Sequence, residues 1–176
     1  MRGKPESPEK TYRTARRAFI AACEAAHAET VARLHPAKAP DGKPLFMDCT
    51  ALGPRHAARA LLVISYDASG SDVLVALLRD VQVPAEARLV LVHALDPAQF
   101  AGVMGDAGWS STMLAAVATE DLSHVKNLSL LSLGRGGESV VPALQSALPE
   151  AHITVLPSSS GVEQTHHAVI AFFTVR

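Results

Sequence analysis

The chain has 176 residues, a formal net charge of -1, 48% hydrophobic and 19% charged residues. That length suits one domain with a full core, and that balance excludes a disordered chain. A near-neutral chain lacks the excess of Lys and Arg that neutralises phosphates, which argues against nucleic acid as a partner.

Residues 1–7 read as a flexible tail, and residues 8–176 as a single domain. Ser7-Pro8-Glu9 is a helix start: Ser7 can cap, Pro8 suits the first helical position, and Glu9 favours the positive end of the dipole. Phe19, Ile20, Ala22, Cys23 and Ala26 keep helical spacing, which predicts a helix running to about Leu34, ended by His35-Pro36. Lys4, Lys10, Arg13, Arg16, Arg17, Arg33, Lys38 and Lys43 crowd the first quarter of the chain. They read as a solvated face, with a docking surface for an acidic partner as the alternative. Asp41-Gly42 signals a turn or hairpin. Leu45 to Leu52 reads as a strand, Gly53-Pro54 as a turn, and Ala60 to Tyr66 as a buried strand.

Beyond this the pattern alternates. Val73 to Arg79 reads as a helix, Ala87 to Ala94 as a strand, and Pro97 to Val103 and Ser111 to Leu122 as helices. Asn127 to Leu133 reads as a strand, Glu138 to Leu148 as a helix, and His152 to Leu156 and Ala168 to Val175 as strands. Apolar strands alternating with helices predict a three-layer α/β fold, with a mixed but mainly parallel sheet and helices on both faces. Cys23 and Cys49 have apolar neighbours and match no metal motif, so they read as buried free thiols of a reducing compartment. The first residues lead into no signal-peptide core, and no apolar run approaches the roughly 18 residues that span a bilayer. The expectation is a cytoplasmic protein with no membrane partner.

One set of segments carries a resemblance. Tyr12 to Arg17 with Phe19 comes first, then His35-Pro36, Pro40-Asp41-Gly42-Lys43-Pro44-Leu45, Asp48 and Leu52-Gly53-Pro54. Leu61-Leu62-Val63-Ile64-Ser65 follows, and later Leu89 to Pro97 with Phe100. Over roughly residues 11–100 the chain resembles bacterial zinc-carboxypeptidase-like (M14-type) proteins of uncharacterised function. In that family the strand corresponding to Leu61–Ser65 is followed by Gly-Thr-His-Gly-Val-Glu-Gly, whose His and Glu bind zinc. The loop here is Tyr66-Asp67-Ala68-Ser69-Gly70-Ser71-Asp72, so the resemblance places Ala68 and Ser71 at the ligand positions. Zinc needs about three N, O or S ligands and an open position for water. Ala68 offers no donor and Ser71 a poor one; shifting by one residue offers Asp67 but pairs it with Gly70. The family's Asn/Arg-rich segment, which resembles a clamp for a substrate carboxylate, corresponds here to Gly102 to Trp109, which holds neither residue type. A truncated, non-catalytic relative accounts for both losses, with no metal, no cofactor and no catalytic residue expected.

Other loops offer binding chemistry. Gly134-Arg135-Gly136-Gly137-Glu138 follows an apolar strand and precedes a helix, where backbone N–H groups and Arg135 could hold a small anionic ligand. It lacks the Lys-Ser/Thr of a phosphate loop and the spacing of a dinucleotide fingerprint, and a plain glycine-rich turn is the simpler reading. Ser158 and Ser159 follow another strand, and ligands of α/β proteins collect at such carboxyl ends. Asp67, Ser69, Asp96, Arg135 and Ser158 to Ser160 could line one crevice, against the simpler reading of polar loops. Glu163, His166 and His167 share a face only if helical; with His93 or Asp67 they would form a rebuilt metal site. His93 otherwise reads as a hydrogen-bonded core histidine. No Gly-x-Ser-x-Gly elbow is present. The sequence thus predicts a non-catalytic binding or assembly module with a protein partner or self-association. The alternatives are a small-ligand or phosphate-ester binding protein or enzyme using residues 134–138, and a metal-dependent hydrolase with rebuilt ligands.

Overall fold

The computed structural model describes residues 8–26, 29–31, 37–38, 44–45, 47–65, 70–94, 122–133, 141–159 and 161–174. In chain order its elements are α1 (Pro8–Ala25), β1 (Glu29–Val31), β2 (Ala37–Lys38), β3 (Pro44–Leu45), β4 (Met47–Leu52) and β5 (Arg59–Ser65). Then come α2 (Gly70–Asp80), β6 (Ala87–Ala94), β7 (Asn127–Leu133), α3 (Val141–Ala147), β8 (His152–Val155) and α4 (Val162–Thr174).

β5, β6 and β7 are near-continuous runs of Leu, Val and Ile. Such runs suit strands covered on both faces, and these three lie in the middle of a six-stranded sheet ordered β1-β4-β6-β5-β7-β8. β5 pairs in parallel with β6 and β7, and β7 with β8. β4 runs antiparallel to both β6 and β1. β2 and β3 form a separate antiparallel pair on either side of Asp41-Gly42, as the turn signal predicts.

Alternation along the strands makes two cores. Leu62, Ile64, Val90, Val92, Leu128 and Leu130 meet Leu144 and Leu148 on one face. Leu61, Val63, Leu89, Leu91 and Leu131 meet Phe19 of α1, Leu74 and Leu77 of α2, and Val169 of α4 on the other. The fold is therefore a three-layer α/β arrangement with a mixed, mainly parallel sheet. Each fully buried Leu or Ile contributes about 1.5–3 kcal/mol by leaving water. α2 adds favourable charges at its ends, Asp72 in the first turn and Arg79 in the last. Cys23 is buried within the second core.

Two connections are held by arginines. Gly53 has φ +99°, and a Cβ there would collide with the Ala87 carbonyl oxygen, so the turn after β4 requires glycine. Arg88 is fully buried and donates from Nη1 to the Gly53 carbonyl at 2.7 Å. A guanidinium survives burial only with acceptors around it, and the turn supplies one. Arg59 donates to the Phe172 carbonyl at 2.9 Å, lies 5.0 Å from the centroid of the Phe172 ring, and sits 3.7 Å from Glu86. It satisfies an open carbonyl in the last turn of α4 and ties that helix to the start of β5.

Two predicted elements change. The first helix ends at Ala25 rather than Leu34, because Glu29–Val31 pairs with β4 as an edge strand. Thr30 and Val31 are β-branched and fit a pleated ladder better than a helix. Ala168 to Val175 is not a strand; it belongs to α4 as far as Thr174. Buried Thr165 and Val169 and part-buried Ala168, Phe172 and Phe173 stand at helical spacing, so tertiary packing selects the helix over the strand preference of Val169-Ile170 and Phe172-Phe173. The helix expected at residues 97–103, that expected at Ser111 to Leu122 save for Leu122 itself, and the tail at residues 1–7 lie outside the described residues. Among the described residues no helix is long and apolar enough to cross a membrane.

Candidate functional site

The sheet has a topological switch point. From β5 the chain passes through α2 to β6 on one side, while β7 pairs on the other side of β5. Ligands of open α/β sheets gather outside the carboxyl ends of strands at such a point. Register places Asp48, His93, Ser65, Leu133 and Ser159 in one row across this end of the sheet. The expected ligand residues Asp67, Ser69, Asp96, Gly134, Arg135, Gly136 and Gly137, with Ala68 and Ser160, lie outside the described residues. Ser71 stands in the first turn of α2. Ser158 and Ser159 are described, and both line a cavity of about 310 Å³.

That cavity begins with a slip in register. Leu130 pairs with Val155, but Leu133 pairs with Ser159. Three positions after Leu130 on β7 are thus matched by four after Val155, so the chain leaving β8 contains a bulge. The ladder resumes through the Ser159 N–H, which donates to the Ser132 carbonyl at 2.9 Å. Pro157 falls inside the slipped stretch, where a residue without an N–H leaves no ladder bond unmade.

The bulge decides where Ser159 points. In unbroken register Ser158 would align with Leu133 and Ser159 would turn to the α3 face. With the extra residue, Ser159 takes the place beside Leu133, whose side chain packs in the core under α4. Ser159 is accordingly buried, and its Oγ lies 2.8 Å from Thr165 Oγ1. Thr165 donates its only hydroxyl proton to the Gly161 carbonyl at 2.8 Å. The proton in the Ser159–Thr165 bond therefore comes from Ser159, whose lone pairs remain able to accept. Gly161, with φ +77°, turns the chain into α4.

Leu156, Pro157, Ala168 and Phe172 make the apolar wall, and Ser158 and Ser159 with Gln164 make the polar side. Gln164 to Phe172 spans eight residues of helix, about 12 Å. Among the described residues no charged side chain lines the cavity, so its described walls suit a neutral molecule. The sequence singles out Ser158 and Ser159 as polar residues after a strand, but neither Thr165 nor Ala168 and Phe172, the last two being read as strand. The i, i+3, i+7 spacing of these three is the signal that finds them.

The second expected cluster is only partly gathered. Glu163, His166 and His167 lie on α4, the helical arrangement that can put them near one face. His166 Nε2 is buried with no hydrogen-bond partner among the described residues. Among the described residues no group of three or more His, Cys, Asp or Glu could hold a metal ion.

A family model described as "Protein of unknown function (DUF2817)" matches residues 9–103. The match covers more than half of the chain. The chain belongs to the DUF2817 family. The DUF2817 match takes in α1 through β6 and stops before β7, so the bulge and its cavity lie beyond the matched residues. No curated protein matches this DUF2817 member. Two solved structures of Porphyromonas gingivalis glutaminyl cyclase are similar to it in chain trace. One has TM-score 0.49 and 18% identity, covering 96% of this chain and 80% of the other. The second has TM-score 0.49 and 15% identity, covering 96% and 81%.

Proposed function

We propose that this protein is a non-catalytic, zinc-carboxypeptidase-like binding or assembly module, working through a protein partner, self-association or a bound small molecule. The observation that carries the reading is the pair Ala68 and Ser71 at the positions where the resembled family has its zinc-binding His and Glu. The donor set does not fit the metal: a methyl group cannot ligate, and a neutral hydroxyl is a weak ligand for zinc. The absence of Asn and Arg between Gly102 and Trp109 supports the same reading, because a C-terminal carboxylate would have no clamp there.

The cavity at Ser158 and Ser159 favours small-ligand binding as the second reading. A metal-dependent hydrolase with rebuilt ligands at Asp67, His93, His166 or His167 is the reading to be excluded. Untagged full-length protein should carry well under one zinc per chain by elemental analysis. It should release no C-terminal amino acid from peptides even with zinc added. Stoichiometric zinc together with hydrolysis overturns the proposal in favour of rebuilt ligands.

A further inference from the structure

We infer that the cavity beside the β8 bulge binds a small, neutral aromatic molecule carrying one hydrogen-bond donor, of about the size of indole. The inference rests on the binding reading above and names the ligand chemistry. Three features of the cavity set that chemistry.

Its size comes first. An apolar cavity of about 150 Å³ takes up benzene, and this one, at about 310 Å³, has room for a fused bicyclic ring. Its walls are second. Leu156, Pro157, Ala168 and Phe172 offer aliphatic and aromatic contact, and among the described residues no charged side chain lines the cavity to balance an ionic ligand. Ring contact with Phe172 adds a stacking preference over an alkyl chain. Phe172 is itself held in place: its carbonyl accepts from Arg59, and its ring meets Phe173 edge-on at 5.1 Å.

The polar side is third and decides the hydrogen-bond polarity. Ser159 is 4% exposed, and its proton goes to Thr165, so toward the cavity its Oγ can only accept. A ligand with an N–H or O–H completes that oxygen, whereas a ligand offering only acceptors leaves it unmatched. The bulge is what presents Ser159 on the α4 side, and bulges recur beside binding and active sites because they re-aim one side chain. α4 is anchored at both ends, by Ser159–Thr165 and by Arg59–Phe172. The site is pre-organised and binding need not order it.

The test is a titration of the isotope-labelled full chain with indole and with indene, the same bicycle without the N–H, read by amide chemical shifts. Indole should give saturable shifts centred on Ser158, Ser159 and Ala168, with indene binding about five- to tenfold more weakly. Ser159→Ala should lower indole to the level of indene and leave indene unchanged. Ala171→Leu, a change to a good helix former at an exposed residue that also lines the cavity, should abolish both. Absence of saturable shifts, equal affinities for indole and indene, or binding that survives Ala171→Leu overturns the inference. Failure here in zinc-free, inactive protein overturns the cavity assignment alone; zinc and hydrolysis overturn the non-catalytic reading whatever indole does.

Discussion

β5 and β8 run parallel in one sheet, with β7 between them, and both are short apolar strands. β5 is buried at every position after Arg59. β8 buries none of its four residues fully; only Ile153 is part-buried, and Val155 is 40% exposed. The residue types do not explain the contrast, since Ile and Val occur in both. Position does: β5 has a strand on each side and a helix layer on each face, while β8 has β7 on one side and no described strand on the other. The centre of the sheet gains stability from packing, and its described edge is left less enclosed.

The edge is nonetheless protected. The amides of His152 and Leu156 donate to the carbonyls of Lys126, just before β7, and Leu130 on β7, so the alternate residues Ile153 and Val155 turn their N–H groups outward. Pro157 removes the next donor in that series. A short strand closed by proline and a bulge is a poor template for edge-to-edge pairing, which turns attention from β8's backbone to the cavity behind it.

Substitutions can break or sharpen the contrast. The largest effect is expected at the centre: Leu62→Ala should cost about 2–5 kcal/mol in denaturant unfolding, because a fully enclosed site cannot collapse around the lost volume. Gly53→Ala should cost about 1–3 kcal/mol, since the β4–β5 turn must move its Cβ off the Ala87 carbonyl while keeping the bond from Arg88. The smallest effect belongs to the edge. Val155→Thr should change unfolding free energy by no more than about 0.5 kcal/mol. A loss at Val155 as large as that at Leu62 would mean that the edge is as enclosed as the centre, and would collapse the distinction.

Much of the sheet was legible. The runs at Leu61–Ile64, Leu89–Val92 and Leu128–Leu131 read as apolar strands, and each is a central strand with at least one parallel neighbour. Asp41-Gly42 lies between two strands that pair. The candidate site was legible in part. Ser158 and Ser159 stood out as polar residues after a strand, but their partner Thr165 and the wall residues Ala168 and Phe172 did not. Val-Ile and Phe-Phe favour strand locally, and only a helix resting on Val63, Leu131 and Leu133 makes their three- and four-residue spacing the dominant pattern.

By itself the sequence determined the fold class, the central strands and the membership that residues 9–103 carry. These are local matters, set by residue type and spacing. The tertiary structure alone decided that Glu29–Val31 is a strand, that α4 is a helix, that Arg88 is buried against Gly53, and that Ser159 faces α4. Each of these depends on a distant partner: β4 for β1, the sheet's second core for α4, a turn carbonyl for Arg88, and the register of β7 for Ser159. A one-residue slip in pairing reverses which face a side chain occupies, and nothing in the residues around Pro157 states that slip until β7 lies beside them.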